Sequence, residues 1–260
     1  MDERIQKLNE MIKTHQKIVF FGGAGVSTAS GIPDFRSADG LYNMDKSVYS
    51  NKEPEYLLSR DCLYNNSKLF YKFYRQFMDV RRFHPNIAHI KLAKLEAKGK
   101  MLGVITQNID GLHQKAGSKN VFEIHGTTQR TYCSKCKKEY EKDYIFTCSD
   151  DIPKCGKGCR GLIRPDVTLY GEALPKEALN NAMNVIMDAD MLIVAGTSLT
   201  VQPAASLVSY FEGDSLVIIN RTETDYDKWA DLVFREDIAD VFSKIEIWKT
   251  FRERGEIWIL

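Results

Sequence analysis

The sequence lacks a dominant charge, a membrane-length apolar run and, outside one short stretch, cysteine. Lys and Arg number 36 against 35 Asp and Glu, a formal net charge of +1. So even a balance argues against a broad electrostatic attraction to nucleic acid or to an anionic membrane. No hydrophobic run approaches the length needed to span a bilayer. No internal repeat or low-complexity tract interrupts the chain. No secretion signal is visible: residues 1–16 are charged, with Ile5, Leu8, Met11 and Ile12 at helical spacing. Of the six cysteines, five lie between Cys133 and Cys159. Clustered thiols without a leader favour metal over disulfides. The expectation is a cytoplasmic globular protein. Its 260 residues suffice for one large domain or for a domain carrying an inserted module.

What the chain does have is a polar cluster behind a short apolar run. Residues Met101 to Thr106 read as a buried strand, and Gln107, Asn108 and Asp110 stand at its C-terminal end. In open α/β sheets, ligands bind at that end. A second apolar run, Val121 to Ile124, delivers His125 beside Gly126. Amides, a carboxylate and an imidazole placed this way suit the handling of a sugar hydroxyl and an amide, although a lone histidine is more often structural. Upstream, Lys17 to Phe21 is a strand that runs into Gly22-Gly-Ala-Gly-Val-Ser-Thr28. A strand, then glycines, then a helix start is a geometry that holds a pyrophosphate. Thr28 stands where the third glycine of the usual fingerprint would be.

The segment 37–83 has apolar residues at helical spacing (Leu57, Leu63, Phe70, Phe73, Phe77) and interleaved tyrosines, and reads as a helical insertion whose aromatics pack its interior. Pro85 to Glu96 reads as a helix closed by Gly99, with His89 structural. Cys133-x-x-Cys136 and Cys155-x-x-x-Cys159 have nearly the spacing of a zinc ribbon. Four thiolates leave no open position, so one structural Zn2+ is expected, with Cys148 a weaker alternative to Cys155. Lysines on the ribbon are interrupted by Glu139, Glu141 and Asp143, which argues against nucleic acid. Beyond it, Leu162 to Glu172 is extended. A helix over Lys176 to Met187 precedes strands over Met191 to Ala195, Leu216 to Asn220 and Leu232 to Phe234. Helices are expected over Ala204 to Phe211 and near Ile238 to Phe251. Alternating strands and helices indicate an α/β fold with a doubly wound parallel sheet.

Set side by side, these segments resemble the sirtuin family of NAD-dependent protein lysine deacetylases, in its bacterial form. The resemblance rests on Gly22-Gly-Ala-Gly-Val-Ser-Thr-Ala-Ser-Gly-Ile-Pro-Asp-Phe-Arg36, Thr106-Gln-Asn-Ile-Asp-Gly-Leu-His113, His125-Gly, the four cysteines, Arg164-Pro-Asp-Val-Thr-Leu-Tyr-Gly-Glu172, Gly196-Thr-Ser-Leu199 and Val217-Ile-Ile-Asn220. It implies a discontinuous Rossmann-like domain (1–36, 84–128, 165–260). A small domain would combine a helical module (37–83) with a zinc-ribbon module (129–164). NAD would lie along Ala24, Gly25, Thr28, Phe35, Arg36, Gln107, Asn108, Ile109, Asp110, His125, Gly196, Thr197, Ser198, Asn220 and Ile238. Val167, Leu169, Tyr170 and Gly171 would flank an acetylated protein or peptide by strand addition. His125 would be the general base, with Asn108 and Asp110 the other catalytic groups. Lysine, nicotinamide and 2'-O-acetyl-ADP-ribose would be the products. Members that remove acidic acyl groups carry a Tyr-x-x-Arg pair. Here Tyr71 is followed three residues later by Tyr74, and Arg75 is one place late, so a neutral acyl pocket is expected. Protein ADP-ribosylation and removal of other neutral acyl groups remain open, as does a zinc-ribbon module that only senses NAD.

Overall fold

A computed structural model describes residues 2–34, 45–156 and 158–247. Helix α1 (Glu3–Thr14) buries Ile5, Leu8, Met11 and Ile12, the stripe that the sequence spacing marks. Strand β1 (Ile18–Gly22) is β-branched and aromatic, and every residue in it is buried. A strand buried on both faces in this way belongs at the centre of a parallel sheet. After a 3-10 turn at Lys46–Tyr49 come three short helices, α2 (Pro54–Leu57), α3 (Arg60–Asn65) and α4 (Ser67–Phe77). Next are α5 (Ile87–Ala97), β2 (Met101–Thr106), α6 (Leu112–Ala116) and β3 (Val121–Glu123). The ribbon follows as β4 (Gly126–Cys133), β5 (Glu139–Tyr140), α7 (Tyr144–Thr147) and β6 (Ile163–Val167). The chain closes its sheet with α8 (Lys176–Met187), β7 (Met191–Ala195), β8 (Ser215–Ile219), β9 (Leu232–Phe234) and α9 (Ile238–Ser243).

Six strands pair in parallel in the order β3-β2-β1-β7-β8-β9, and β5-β4-β6 form a separate antiparallel sheet. Strand order reverses between β1 and β7, the crevice at which such sheets bind ligands. Alternate residues of β1 face opposite cores. Ile18 and Phe20 pack with α1, α5 and α9, whereas Val19 and Phe21 pack with Ala182 and Ile186 of α8. That two-sided burial is the doubly wound α/β architecture expected from the sequence. A third core joins the inserted helices to the ribbon: Phe70, Tyr71, Phe73 and Tyr74 of α4 pack with Ile145 and Ile163. Most of the interleaved aromatics are packing, as expected, with Tyr64 the exception at 44% exposed, and the Tyr71 hydroxyl donates to the Ile163 carbonyl at 2.9 Å.

Three local expectations are corrected. The glycine loop is not followed by an α-helix; it makes two 3-10 turns, Ala24–Val26 and Thr28–Ser30. Gly31 (φ +89°) ends the second turn, and Pro33 disfavours helical backbone at Ile32. Residues Ala204–Tyr210 are likewise 3-10, not α. Helix α9 stops at Ser243, and residues from 248 on lie outside the described set.

Candidate active site

Every loop at the carboxyl edge of the central strands opens into one cleft of about 1020 Å³. The first two loops pack backbone to backbone. Gly25 N–H donates to the Gly196 carbonyl at 2.9 Å, and Gly23 N–H to Ala195 at 3.0 Å. A Cβ on Gly25 would lie 2.7 Å from Gly196 Cα, and one on Gly196 would lie 2.5 Å from Val26 N. Only glycines allow that approach. Ala24, Gly25 and Thr28 from β1, Gly196, Thr197 and Ser198 from β7, Asn220 from β8, and Ile238 at the start of α9 all line the cleft. Among the residues expected to contact NAD, Phe35 and Arg36 lie outside the described residues.

Gln107, Asn108, Ile109, Asp110 and His125 line the same cleft. Gln107 donates through Nε2 to Thr197 Oγ1 at 3.1 Å, which ties β2's loop to β7's. His125 Nδ1 lies 2.9 Å from the Gln107 carbonyl oxygen. A carbonyl only accepts, so Nδ1 carries the proton and Nε2 keeps its lone pair. Burial pushes the His125 pKa down, partly offset by that carbonyl, so the ring is neutral near pH 7. Asp110 is buried, which raises its pKa. Leu112 N–H (2.8 Å) and the Ser27 hydroxyl (2.7 Å) donate to its oxygens and pull the pKa back. Ser27 also accepts from Asn108 Nδ2 at 3.1 Å. Ser27 therefore joins Asn108 to Asp110, a role that the sequence reading assigned to no residue.

The other half of the cleft is apolar. Leu58, Tyr74, Phe77, Met78, Val80 and Leu169 line it. Arg75 points elsewhere, with Nε donating to the Ile145 carbonyl at 2.8 Å and Nη2 to Asp150 O at 2.6 Å. The turn after β6 forms one wall, where Val167, Leu169, Tyr170 and Gly171 stand. Arg164, nearly buried, pairs through Nη1 and Nη2 with Glu172, and Nη2 also donates to Val167 O at 2.7 Å. Glu172 in turn accepts from Leu169 N–H at 2.9 Å. Main-chain groups of Leu169 and Tyr170 are thus taken, Tyr170 by Leu58 and Arg60.

The four expected cysteines come together, their sulfurs all within 4.8 Å, and Cys148 stands outside the set. Cys133 and Cys159 sulfurs are 3.6 Å apart, Cys136 and Cys155 3.7 Å. Tetrahedral zinc with arms of about 2.3 Å requires edges of about 3.8 Å, so the cluster fits one structural ion.

Comparison with known proteins agrees with this geometry. A model described as "Sir2 family" matches residues 23–203. A protein named NAD-dependent protein deacetylase from Staphylococcus epidermidis is 50% identical over 241 residues, covering 93% of this chain and 96% of its own. One of the same name from Clostridium perfringens is 49% identical, covering 94% and 99%. Among solved structures, a Sir2 with a p53 peptide and NAD+ superposes with a TM-score of 0.80 at 38% identity, over 93% of this chain and 96% of that one. A Sir2 bound to acetylated peptide gives 0.80 at 36% identity, with the same coverage.

Proposed function

The chain belongs to the Sir2 family, and from that premise we infer how it works as an NAD-dependent protein deacetylase. The carrying observation is the His125–Gln107 hydrogen bond, which leaves Nε2 unprotonated in a cleft that also holds Asn108 and Asp110. The glycine cradle, Thr28, Thr197, Ser198 and Asn220 suit the phosphate and adenosine end of a dinucleotide. Neutral hydroxyls, amides and close backbone are offered there, and Arg221, which also lines the cleft, is paired with Asp237 at 2.6 Å. When bound, NAD supplies an electrophilic ribose carbon and a nicotinamide leaving group, which lets an amide oxygen, a weak nucleophile, react.

The chain's own groups do the rest. His125 Nε2 takes up a proton from a hydroxyl presented to it, and its neutral form near pH 7 suits that task. Asn108 and Asp110, locked together through Ser27, orient the polar end of the ligand. The apolar wall of Leu58, Tyr74, Phe77 and Met78 receives the aliphatic lysine arm and its acetyl group and excludes water. With Arg75 engaged by the ribbon backbone, the described wall offers no arginine from α4 to an acidic acyl group, which supports acetyl and other neutral acyl substrates. The substrate is an acetylated protein, passing along the 167–171 turn. Free thiols held for a metal suit a reducing compartment, and a cytoplasmic location is our reading.

The test is His125→Ala, assayed by release of deacetylated peptide and of nicotinamide. A lost general base costs about 10²–10⁴ in rate. A folded, NAD-binding variant that deacetylates at the wild-type rate refutes the assignment. Nicotinamide release that ignores the acetyl group would favour ADP-ribosyl transfer instead.

A further inference from the structure

Outside the cleft, on the far side of the 167–172 turn, lies a second concavity of about 520 Å³. Arg60, Asp61, Tyr64 and Asn65 of α3 line it, and it shares Tyr170 and Gly171 with the cleft. The turn and α3 are tied together: Tyr170 N–H donates to Leu58 O at 3.1 Å, and Arg60 N–H to Tyr170 O at 2.9 Å. The wall between the two hollows is therefore a single backbone thickness. At Gly171 (φ +86°), no atom beyond its two chain neighbours lies within 4 Å of the place a Cβ would occupy. A chain leaving the cleft over Gly171 meets no side chain there from outside the turn. An extended peptide advances about 3.3 Å per residue, so positions two or three from the acyl-lysine reach about 7–10 Å beyond it.

Charge decides what that peptide should carry. Asp61 Oδ1 accepts from Asn65 Nδ2 at 2.6 Å, and Glu172 is held by Nη1 and Nη2 of Arg164. The Arg60 guanidinium, by contrast, sits over the Tyr64 ring at 5.4 Å. Its charge helps hold the Glu172 carboxylate ionised, but it makes no ion pair with a carboxylate among the described residues. Its planar fork is held in place by the ring and left open to a carboxylate. Tyr64 and Tyr170, each 44% exposed, border the groove.

We propose that this groove is a second peptide subsite, in which Arg60 receives an Asp or Glu side chain two or three residues from the substrate's acyl-lysine. The proposal rests on the deacetylase reading, and the experiment separates the two. Acetyl-lysine peptides of one sequence, with Glu, Gln or Lys placed two and then three residues to either side, are assayed with wild type and Arg60→Glu. Glutamate is well tolerated in the first turn of a helix, so the variant should fold. In the wild type, at one placement, Glu should lower KM about 3- to 5-fold relative to Lys, with kcat unchanged and the difference shrinking in high salt. In Arg60→Glu the Glu-to-Lys order should invert. The same order and ratio in both enzymes overturns the subsite. A wild-type preference for Lys gives the groove to Asp61 and also overturns it. If the wild type deacetylates no peptide, including the Gln series, the deacetylase reading fails first and takes the subsite with it.

Discussion

Replacing Ser27 by Ala removes a hydroxyl that is 1% exposed, donates to Asp110 Oδ2 at 2.7 Å and accepts from Asn108 Nδ2 at 3.1 Å. A hydrogen bond to an ionised group contributes about 1.5–3 kcal/mol. If that interaction orients the catalytic pair, its loss lowers kcat/KM by about 10- to 100-fold, since each 1.36 kcal/mol is tenfold in rate. The sign of the pH effect follows from the causes at Asp110. Burial already raises its pKa, and Ser27 and Leu112 N–H oppose the rise. Without Ser27 the pKa climbs further, so the ionised form is lost at a higher pH as the solution is acidified. The acid limb of the kcat/KM profile should therefore move to higher pH in Ser27→Ala. The profile is measured with a saturating acetyl-lysine peptide and varied NAD, on protein whose melting curve shows it folded. An unmoved acid limb together with an unchanged rate would refute the link between Ser27, Asp110 and catalysis.

Metal analysis should find close to one zinc per chain, held by Cys133, Cys136, Cys155 and Cys159. Chelation or Cys133→Ser should unfold the ribbon and loosen the third core, in which Ile145 and Ile163 meet α4. A metal-free protein with an unchanged melting curve would contradict this. At the opposite side of the sheet, burial lowers the His89 pKa to about 4, and His113, its ring centroid 4.6 Å away, is also held well below its usual value. Both rings stay neutral in the folded chain while the unfolded chain protonates them below about pH 6.5, so stability falls as pH drops from about 6.5 towards 4. His89 alone accounts for about 2 kcal/mol of the loss between pH 7 and 5. His89→Gln should flatten that slope in urea melts, and an identical slope would show that the ring is not the group responsible.

The strands were legible because they are short apolar runs ended by glycine or polar residues, and β2, β7 and β9 begin and end where the sequence places them. Helix α8 was equally plain, its twelve residues carrying a full amphipathic pattern. Helix type was not. Residues 24–30 and 204–210 bond i to i+3, a choice set by tight packing between loops, which single-sequence periodicity does not record. Helix α6 has five residues, too few for any period to show. The sequence placed the cysteines as a set, and only their distances removed Cys148 from it.

At the site, the sequence named the kinds of group but not the bonds that give them roles. Asn108, Asp110 and His125 were visible because a letter marks each side chain. Ser27 lies 83 residues from Asp110. Nothing local distinguishes it from the other hydroxyls of its loop. The proton on His125 is directed by the main-chain oxygen of Gln107, and every residue has such an oxygen, so no letter can announce it. It follows that the imidazole's tautomer depends on the path of the backbone after β2, not on the side chain at 107. The Gln107 amide has a separate task, holding Thr197 across the floor of the cleft. One residue thus fixes the His125 ring through its backbone and the cleft floor through its side chain, and only the first of these survives substitution.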